Sequence, residues 1–179
     1  MAYVVAENDS YEGLTHRRTV WMVNRSFYVI ADAAYGTCSG KTLNLSWHLC
    51  RDNAGSMGVD VAVMDDDSAN YAYGAHTQFT NGNNLLLKTF SETTDGFSAS
   101  NGLSWCSENF GTRYQRKFYR VNALKASASS TVRFITVLYP CATPTSVSVS
   151  ASFTGAFSTS GEAVKVTING TTYDLFYTL

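Results

Sequence analysis

Thr42-Leu43-Asn44-Leu45-Ser46-Trp47-His48-Leu49 is the stretch on which the fold turns. Leu43, Leu45, Trp47 and Leu49 recur at every second position. In an extended chain they share one face, and Thr42, Asn44, Ser46 and His48 share the other. A helix would scatter the leucines around its circumference, so the segment reads as a strand with one buried side. The same period spreads outward in both directions. Val20-Trp21-Met22-Val23 and Phe27-Tyr28-Val29-Ile30 flank Asn24-Arg25-Ser26 as a short hairpin. Val59, Val61 and Val63 alternate. Val132 to Tyr139 is a long strand that Pro140 is expected to stop. Val147 and Val149 alternate with serines. Val164, Val166 and Ile168 precede Asn169-Gly170, and Tyr173, Leu175 and Tyr177 follow it, which is a strong hairpin signal. Ala123 to Ser129 could be helical but is short and broken by serine. Gly, Ser, Asn and Thr clusters separate the segments. About ten to fourteen short strands at this spacing predict an antiparallel, nearly all-β sandwich with very little helix.

The 179 residues fit one large domain, 1–179, with the Pro140–Pro144 segment turning one strand into the next rather than separating two domains. The chain is 45% hydrophobic and 15% charged, enough apolar surface for a sizeable core. Its net charge of -1 gives no global field to draw in nucleic acid. A polyanion would need a local basic patch. No apolar run reaches the roughly 18 residues of a membrane span. Residues 1–6 lack the charged start and long apolar stretch of a signal peptide. The early onset of patterning fits a piece of a longer protein better than a natural start, although a cytoplasmic protein could also begin so. Cys38, Cys50, Cys106 and Cys141 form no C-x-x-C pair. Cys38 and Cys50 could cross-link neighbouring strands, or all four could be buried free thiols.

Two segments carry a family resemblance. The first contains Asp9-Ser10-Tyr11-Glu12-Gly13, His16-Arg17-Arg18-Thr19-Val20, Tyr28-Val29-Ile30-Ala31-Asp32 and Trp47-His48-Leu49. The second runs from Gly102-Leu103-Ser104-Trp105 to Phe110-Gly111 and is followed by Arg133-Phe134-Ile135-Thr136-Val137-Leu138-Tyr139-Pro140. In this order they resemble the C-terminal β-sheet domain of heparinase II/III-like polysaccharide lyases. The resemblance implies antiparallel sheets stacked into a supersandwich-like body. It implies a parent that cleaves uronic-acid-containing polysaccharide by β-elimination, with its catalytic residues on an N-terminal α/α toroid before residue 1. The structural metal of some members uses a His-x-His and a His-Asn segment, and neither occurs here. The reading is therefore a non-catalytic C-terminal module with no metal and no cofactor. Its partners would be an acidic polysaccharide and the toroid, and its location periplasmic or secreted. The alternative is a free-standing carbohydrate-binding sandwich.

β-Elimination needs a group to neutralise the substrate carboxylate, a base and an acid. Tyr11, His16, Arg17 and Arg18 are the one cluster with that chemistry. They could face a sugar cleft, or form a solvated basic strand end held by Glu7, Asp9 or Glu12. His16 and Arg17 fall on opposite faces of a regular strand, so one cleft cannot take both. Tyr71 and Tyr73 alternate before His76 and could stack on sugar rings, though exposed strand tyrosines are common without a ligand. His48 could contact sugar, but a central sheet covered on both faces would leave it hydrogen-bonded inside. Asp65-Asp66-Asp67 fails the calcium-loop spacing and reads as an acidic turn. No G-x-S-x-G elbow or phosphate-binding glycine loop occurs. Arg113, Arg116, Lys117 and Arg120, interleaved with Tyr114, Phe118 and Tyr119, could meet an acidic polysaccharide or a partner domain, or simply be a basic strand face. Trp21, Trp47 and Trp105 are expected in the core.

Overall fold

The computed structural model describes residues 1–49, 63–67, 72–80, 82–107, 110–111 and 113–179. Thirteen strands lie in them: β1 Ala2–Tyr11, β2 Leu14–Val23, β3 Phe27–Tyr35, β4 Lys41–His48, β5 Val63–Asp67, β6 Ala72–His76, β7 Asn84–Ser91, β8 Ser98–Cys106, β9 Tyr114–Lys125, β10 Val132–Cys141, β11 Val149–Phe153, β12 Gly161–Ile168 and β13 Thr171–Thr178. The only helical element among the described residues is a single 3-10 turn, Pro144–Ser146. It carries the chain from β10 to β11. The fold is the all-β antiparallel sandwich that the alternation predicts.

Seven strands form a central sheet in the order β1-β2-β3-β10-β7-β6-β5. The sheet β4-β9-β8 covers one of its faces and the sheet β11-β12-β13 the other. The two cores follow from residue parity. On one face Trp21, Val29, Ile135 and Val137 pack with Val164, Val166 and Leu175. On the other, Leu87, Val132 and Phe134 pack with Leu45, Tyr119 and Val121. Strand β10 feeds both cores, which is why Val132 to Val137 is buried without a break. A strand covered on both sides has no polar face to display, so its sequence does not alternate.

Local chemistry fixes the registers. Asn24 and Arg25 take positive φ in the turn that sets Val23 opposite Phe27. Asn169 and Gly170 do the same between Ile168 and Thr171. Adjacent residues with positive φ match the right-handed twist of a two-stranded ribbon, and Asn and Gly tolerate them best.

Three expectations change. Pro140 does not stop β10, which continues to Cys141. Beyond Leu138 only β7 pairs with it, with Pro140 opposite Leu85, because the β3 register ends at Tyr28. The missing N–H therefore costs no ladder bond on the β3 side. Asp65–Asp67 belong to strand β5 rather than to a turn, and β5 is the outermost strand of its sheet among the described residues. Trp105 is 61% exposed on the edge strand β8, whereas Trp21 is fully buried and Trp47 half-buried. Of the two readings for the cysteines, Cys38 and Cys141 are free, half-buried thiols. Val59, Val61 and Cys50 lie outside the described residues.

Candidate functional site

The β2-β3 hairpin builds the site. Its turn sets Arg18 opposite Asp32 and His16 opposite Ala34. His16 and Arg18 therefore share a face with Asp32, and Arg17 points through the sheet to the other side. Asp32 is only 3% exposed and takes both neighbours. Its Oδ1 stands 2.6 Å from His16 Nε2 and accepts from Arg18 Nε at 2.7 Å, while Oδ2 accepts from Arg18 Nη2 at 3.2 Å. Arg18 also lies over the Trp47 ring at 5.2 Å. A buried carboxylate left alone would be costly to desolvate, and the Arg18 guanidinium and the His16 hydrogen bond offset that cost. In neutral His16 the bond to the Asp32 carboxylate places the proton on Nε2 and leaves Nδ1 as an acceptor.

His16 and Asp32 form part of the wall of a groove of about 320 Å³. Tyr11, 57% exposed, lines it, and the edge strand β4 borders it from Thr42 to Leu45. The floor is apolar, made by Leu14, Leu45 and Phe134 among others. Such a groove offers a phenol and an oriented imidazole over an apolar floor, a set able to hydrogen-bond and stack on a polar ring.

The remaining candidates go elsewhere. Arg17 is 2% exposed and its guanidinium is consumed inside the protein. It donates to Glu7 (2.6 Å), to the Tyr177 and Tyr35 hydroxyls (3.2 and 3.4 Å), and to the Ser158 and Thr159 carbonyls (3.1 and 2.8 Å). Tyr35 in turn donates to Glu7 at 2.7 Å. That hydrogen bond and the Arg17 partner hold the Glu7 carboxyl below its ordinary range. Arg133 does the same work further along the face. It pairs with Glu92 and Glu162, donates to the Gly155 carbonyl at 2.9 Å and lies 4.0 Å from the Phe153 ring centroid. Burial pushes the Glu162 carboxyl up, against the pull of Arg133. Both arginines fasten the β11-β12-β13 sheet to the centre.

Tyr73 turns inward onto Phe97 at 4.9 Å between ring centroids, and its carbonyl accepts from the Tyr119 hydroxyl at 2.9 Å. Tyr71 lies outside the described residues. His76 is buried. His48 is exposed, contrary to expectation, because β4 belongs to a flanking sheet whose outer face is uncovered among the described residues. Of the sequence candidates, the groove thus brings together Tyr11 and His16. Asp32 is the member that reading by residue type missed. The signal for Asp32 was present: a hairpin turning at Asn24–Ser26 places it opposite Arg18. Among the described residues no group of three or more His, Cys, Asp or Glu side chains is placed to hold a metal ion.

This groove sits on a sheet arrangement with known counterparts. The family described as Heparinase II/III-like, C-terminal, matches residues 2–148. The chain belongs to that family. A heparin-sulfate lyase of Bacteroides thetaiotaomicron is 38% identical over 180 residues, covering 98% of this chain and 24% of that protein. A heparin-sulfate lyase of Bacteroides stercoris is 31% identical over 178 residues, with the same coverage of 98% and 24%. The crystal structure of heparinase III superposes with a TM-score of 0.83 at 33% identity, over 99% of this chain and 25% of that one. The chain thus spans about a quarter of the length of the relatives it matches. The family match ends just before β11, yet the two lyases align over nearly all of this chain, so the third layer of the heparinase module is part of what they share.

Proposed function

We propose that this chain is the non-catalytic C-terminal module of a polysaccharide lyase that cleaves a uronic-acid-containing polysaccharide by β-elimination. The module supports an N-terminal α/α toroid and flanks the substrate cleft with Tyr11 and His16. The observation that carries this reading is the alignment to heparin-sulfate lyases, nearly complete for this chain and about one quarter of theirs.

The geometry supports it in two ways. Tyr11 and His16 share a groove, but Arg17 is buried on the other face and Arg18 is committed to Asp32. The groove therefore has hydrogen-bonding groups for a sugar without a guanidinium ready to neutralise its carboxylate. Beside it, on the same face of the central sheet, β1, β2 and β3 present Val4 (65% exposed) and Tyr28 (40% exposed), with half-buried Val20 and Met22. A contiguous apolar strip of this kind suits the side of a neighbouring domain. The toroid is the proposed neighbour, and a periplasmic or secreted setting goes with the acidic polysaccharide it would cleave.

The test is product release. β-Elimination leaves an unsaturated uronate that absorbs in the ultraviolet. The parent, expressed with whatever precedes residue 1, is expected to release it from heparan sulfate, and the 179-residue chain alone is not. In the parent, Tyr11→Phe and His16→Ala are expected to raise KM several-fold while leaving kcat nearly unchanged, since the groove binds substrate without taking part in the chemistry. Product release by the isolated chain would overturn the reading, as would a collapse of kcat in His16→Ala.

A further inference from the structure

We infer that Asp32, gripped by Arg18, is a positioning residue for His16. It fixes which imidazole nitrogen carries the proton, so that the groove offers a hydrogen-bond acceptor and takes the uncharged, donor-bearing edge of a sugar. This rests on the proposed role of the groove as a sugar-binding wall and adds to it a residue and a direction.

The other arginine clusters of the central sheet have a fastening role. Arg17 reaches the Ser158 and Thr159 carbonyls and the Tyr177 hydroxyl, and Arg133 reaches Glu162 and the Gly155 carbonyl, all in the third layer or its loops. Asp32 is different. Among the described residues every hydrogen bond of its side chain goes to β2, the strand beside it. The backbone ladder from Thr15–Tyr35 to Val23–Phe27 already holds those two strands together. Fastening therefore does not account for burying this carboxylate, which is costly in itself. What the Arg18–Asp32 pair holds besides itself is His16.

The grip has three steps. The Trp47 ring, 5.2 Å from the Arg18 guanidinium carbon, sets the guanidinium. Arg18 Nε and Nη2 then donate to Oδ1 at 2.7 Å and to Oδ2 at 3.2 Å, and two parallel bonds fix the plane of the carboxylate. Finally Oδ1 meets His16 Nε2 at 2.6 Å. A carboxylate only accepts, so the hydrogen in this bond sits on Nε2 and the neutral ring keeps a lone pair on Nδ1. Among the described residues no protein group bonds to Nδ1, and the His16 side chain is 34% exposed in the groove wall. Without Asp32 a neutral imidazole would exchange its proton between the two nitrogens and present a donor or an acceptor in turn. With it, only the acceptor remains.

That lone pair decides what the groove holds at this point. A hydroxyl or an amide N–H donates to it. A carboxylate oxygen would meet it lone pair against lone pair. No Lys or Arg lines the groove among the described residues, and Arg18 beside it is turned to Asp32. Tyr11 donates or accepts and forces neither choice. The apolar floor of Leu14, Leu45 and Phe134 suits the C–H face of a sugar ring. The groove thus seats a sugar unit by its hydroxyl or amide edge and turns its carboxylate away.

The tautomer is read first, on the unmodified 179-residue chain, so that no variant has to fold. Long-range nitrogen–proton correlation spectra, in buffer alkaline enough to keep a free imidazole neutral, are expected to show His16 as a single form with its proton on Nε2. A proton on Nδ1, or a mixture of the two forms, overturns the inference. Kinetics of the parent then separate positioning from mere structure. His16→Ala and Asp32→Ala are each expected to raise KM for heparan sulfate about two- to tenfold, the worth of one hydrogen bond, with kcat nearly unchanged. The double variant is expected to be no worse than the more damaged single one, since both remove the same contact. Effects that multiply would mean that Asp32 acts otherwise than through His16, and overturn the inference. So would a KM raised by His16→Ala alone, which leaves the groove reading standing. A KM unchanged in His16→Ala sinks the groove reading itself, and the inference with it.

Discussion

Arg17 and Arg120 both project from long strands beside aromatic rings, and their surroundings are opposite. Arg17 looks from the central sheet into the layer β11-β12-β13 and bonds to a carboxylate, two hydroxyls and two carbonyls. Arg120 looks outward from a flanking sheet and meets a serine and a phenyl ring. The difference lies in the number of layers above each residue. In a three-layer body an inward cation must be satisfied by the protein, and an outward one can be offered to a ligand.

The most severe way to break this comparison is to remove a layer. Deleting residues 149–179 uncovers Trp21, Val29, Ile135 and Val137 and leaves Arg17 and Arg133 without most of their partners. We expect the shortened chain to lose its cooperative thermal transition and to bind a hydrophobic dye. A sharp transition in the shortened chain would mean that residues 2–148 hold the fold by themselves. Next in size is a pair of tryptophans. Trp21→Ala is expected to cost about 3–5 kcal/mol in denaturant unfolding, as large-to-small core changes do. Trp105→Ala, on an edge strand, is expected to stay within about 0.5 kcal/mol. Smaller again is the arginine pair itself. Arg17→Met leaves two carbonyls and two tyrosine hydroxyls without this donor, for about 2–4 kcal/mol. Arg120→Met is expected to be near neutral for stability.

That ordering shows what was legible in the sequence. Face parity was: Leu43, Leu45, Trp47 and Leu49 share a side, and His16 and Arg17 do not. The hairpins were, because Asn24-Arg25-Ser26 and Asn169-Gly170 name their own turns. The number of layers was not. Nothing local to Arg17 says that a sheet more than a hundred residues later will cover it, and nothing local to His48 or Trp105 says that their sheet is outermost. Asp32 was legible only through the register of β2 on β3, since its partners Arg18 and His16 lie fourteen and sixteen residues away. Pro140 misled because a proline's effect depends on which side of the strand is still paired.

The smallest effect is also the one that separates the two carboxylates fastening the third layer. Glu7 is held below its ordinary value of 4.5, first by the Tyr35 hydroxyl and then by Arg17. Its contribution is therefore whole above about pH 4.5 and is lost as pH falls through the lowered value. Glu162 is raised above 4.5 by burial, with Arg133 opposing. Its charged form is the disfavoured one in the folded chain, so it costs stability at neutral pH, and that cost is relieved as pH falls through the raised value. The two groups thus pull the stability curve in opposite directions on either side of about pH 4.5. Urea midpoints across the acid range for Glu7→Gln and Glu162→Gln, each subtracted from those of the unmodified chain, should show this. The Glu7 difference is expected to shrink on acidification below pH 4.5, and the Glu162 difference to change above it. Difference curves of the same sign and the same pH window would mean that burial at Glu162 does not outweigh its arginine, and that both carboxylates are ordinary ion-pair partners.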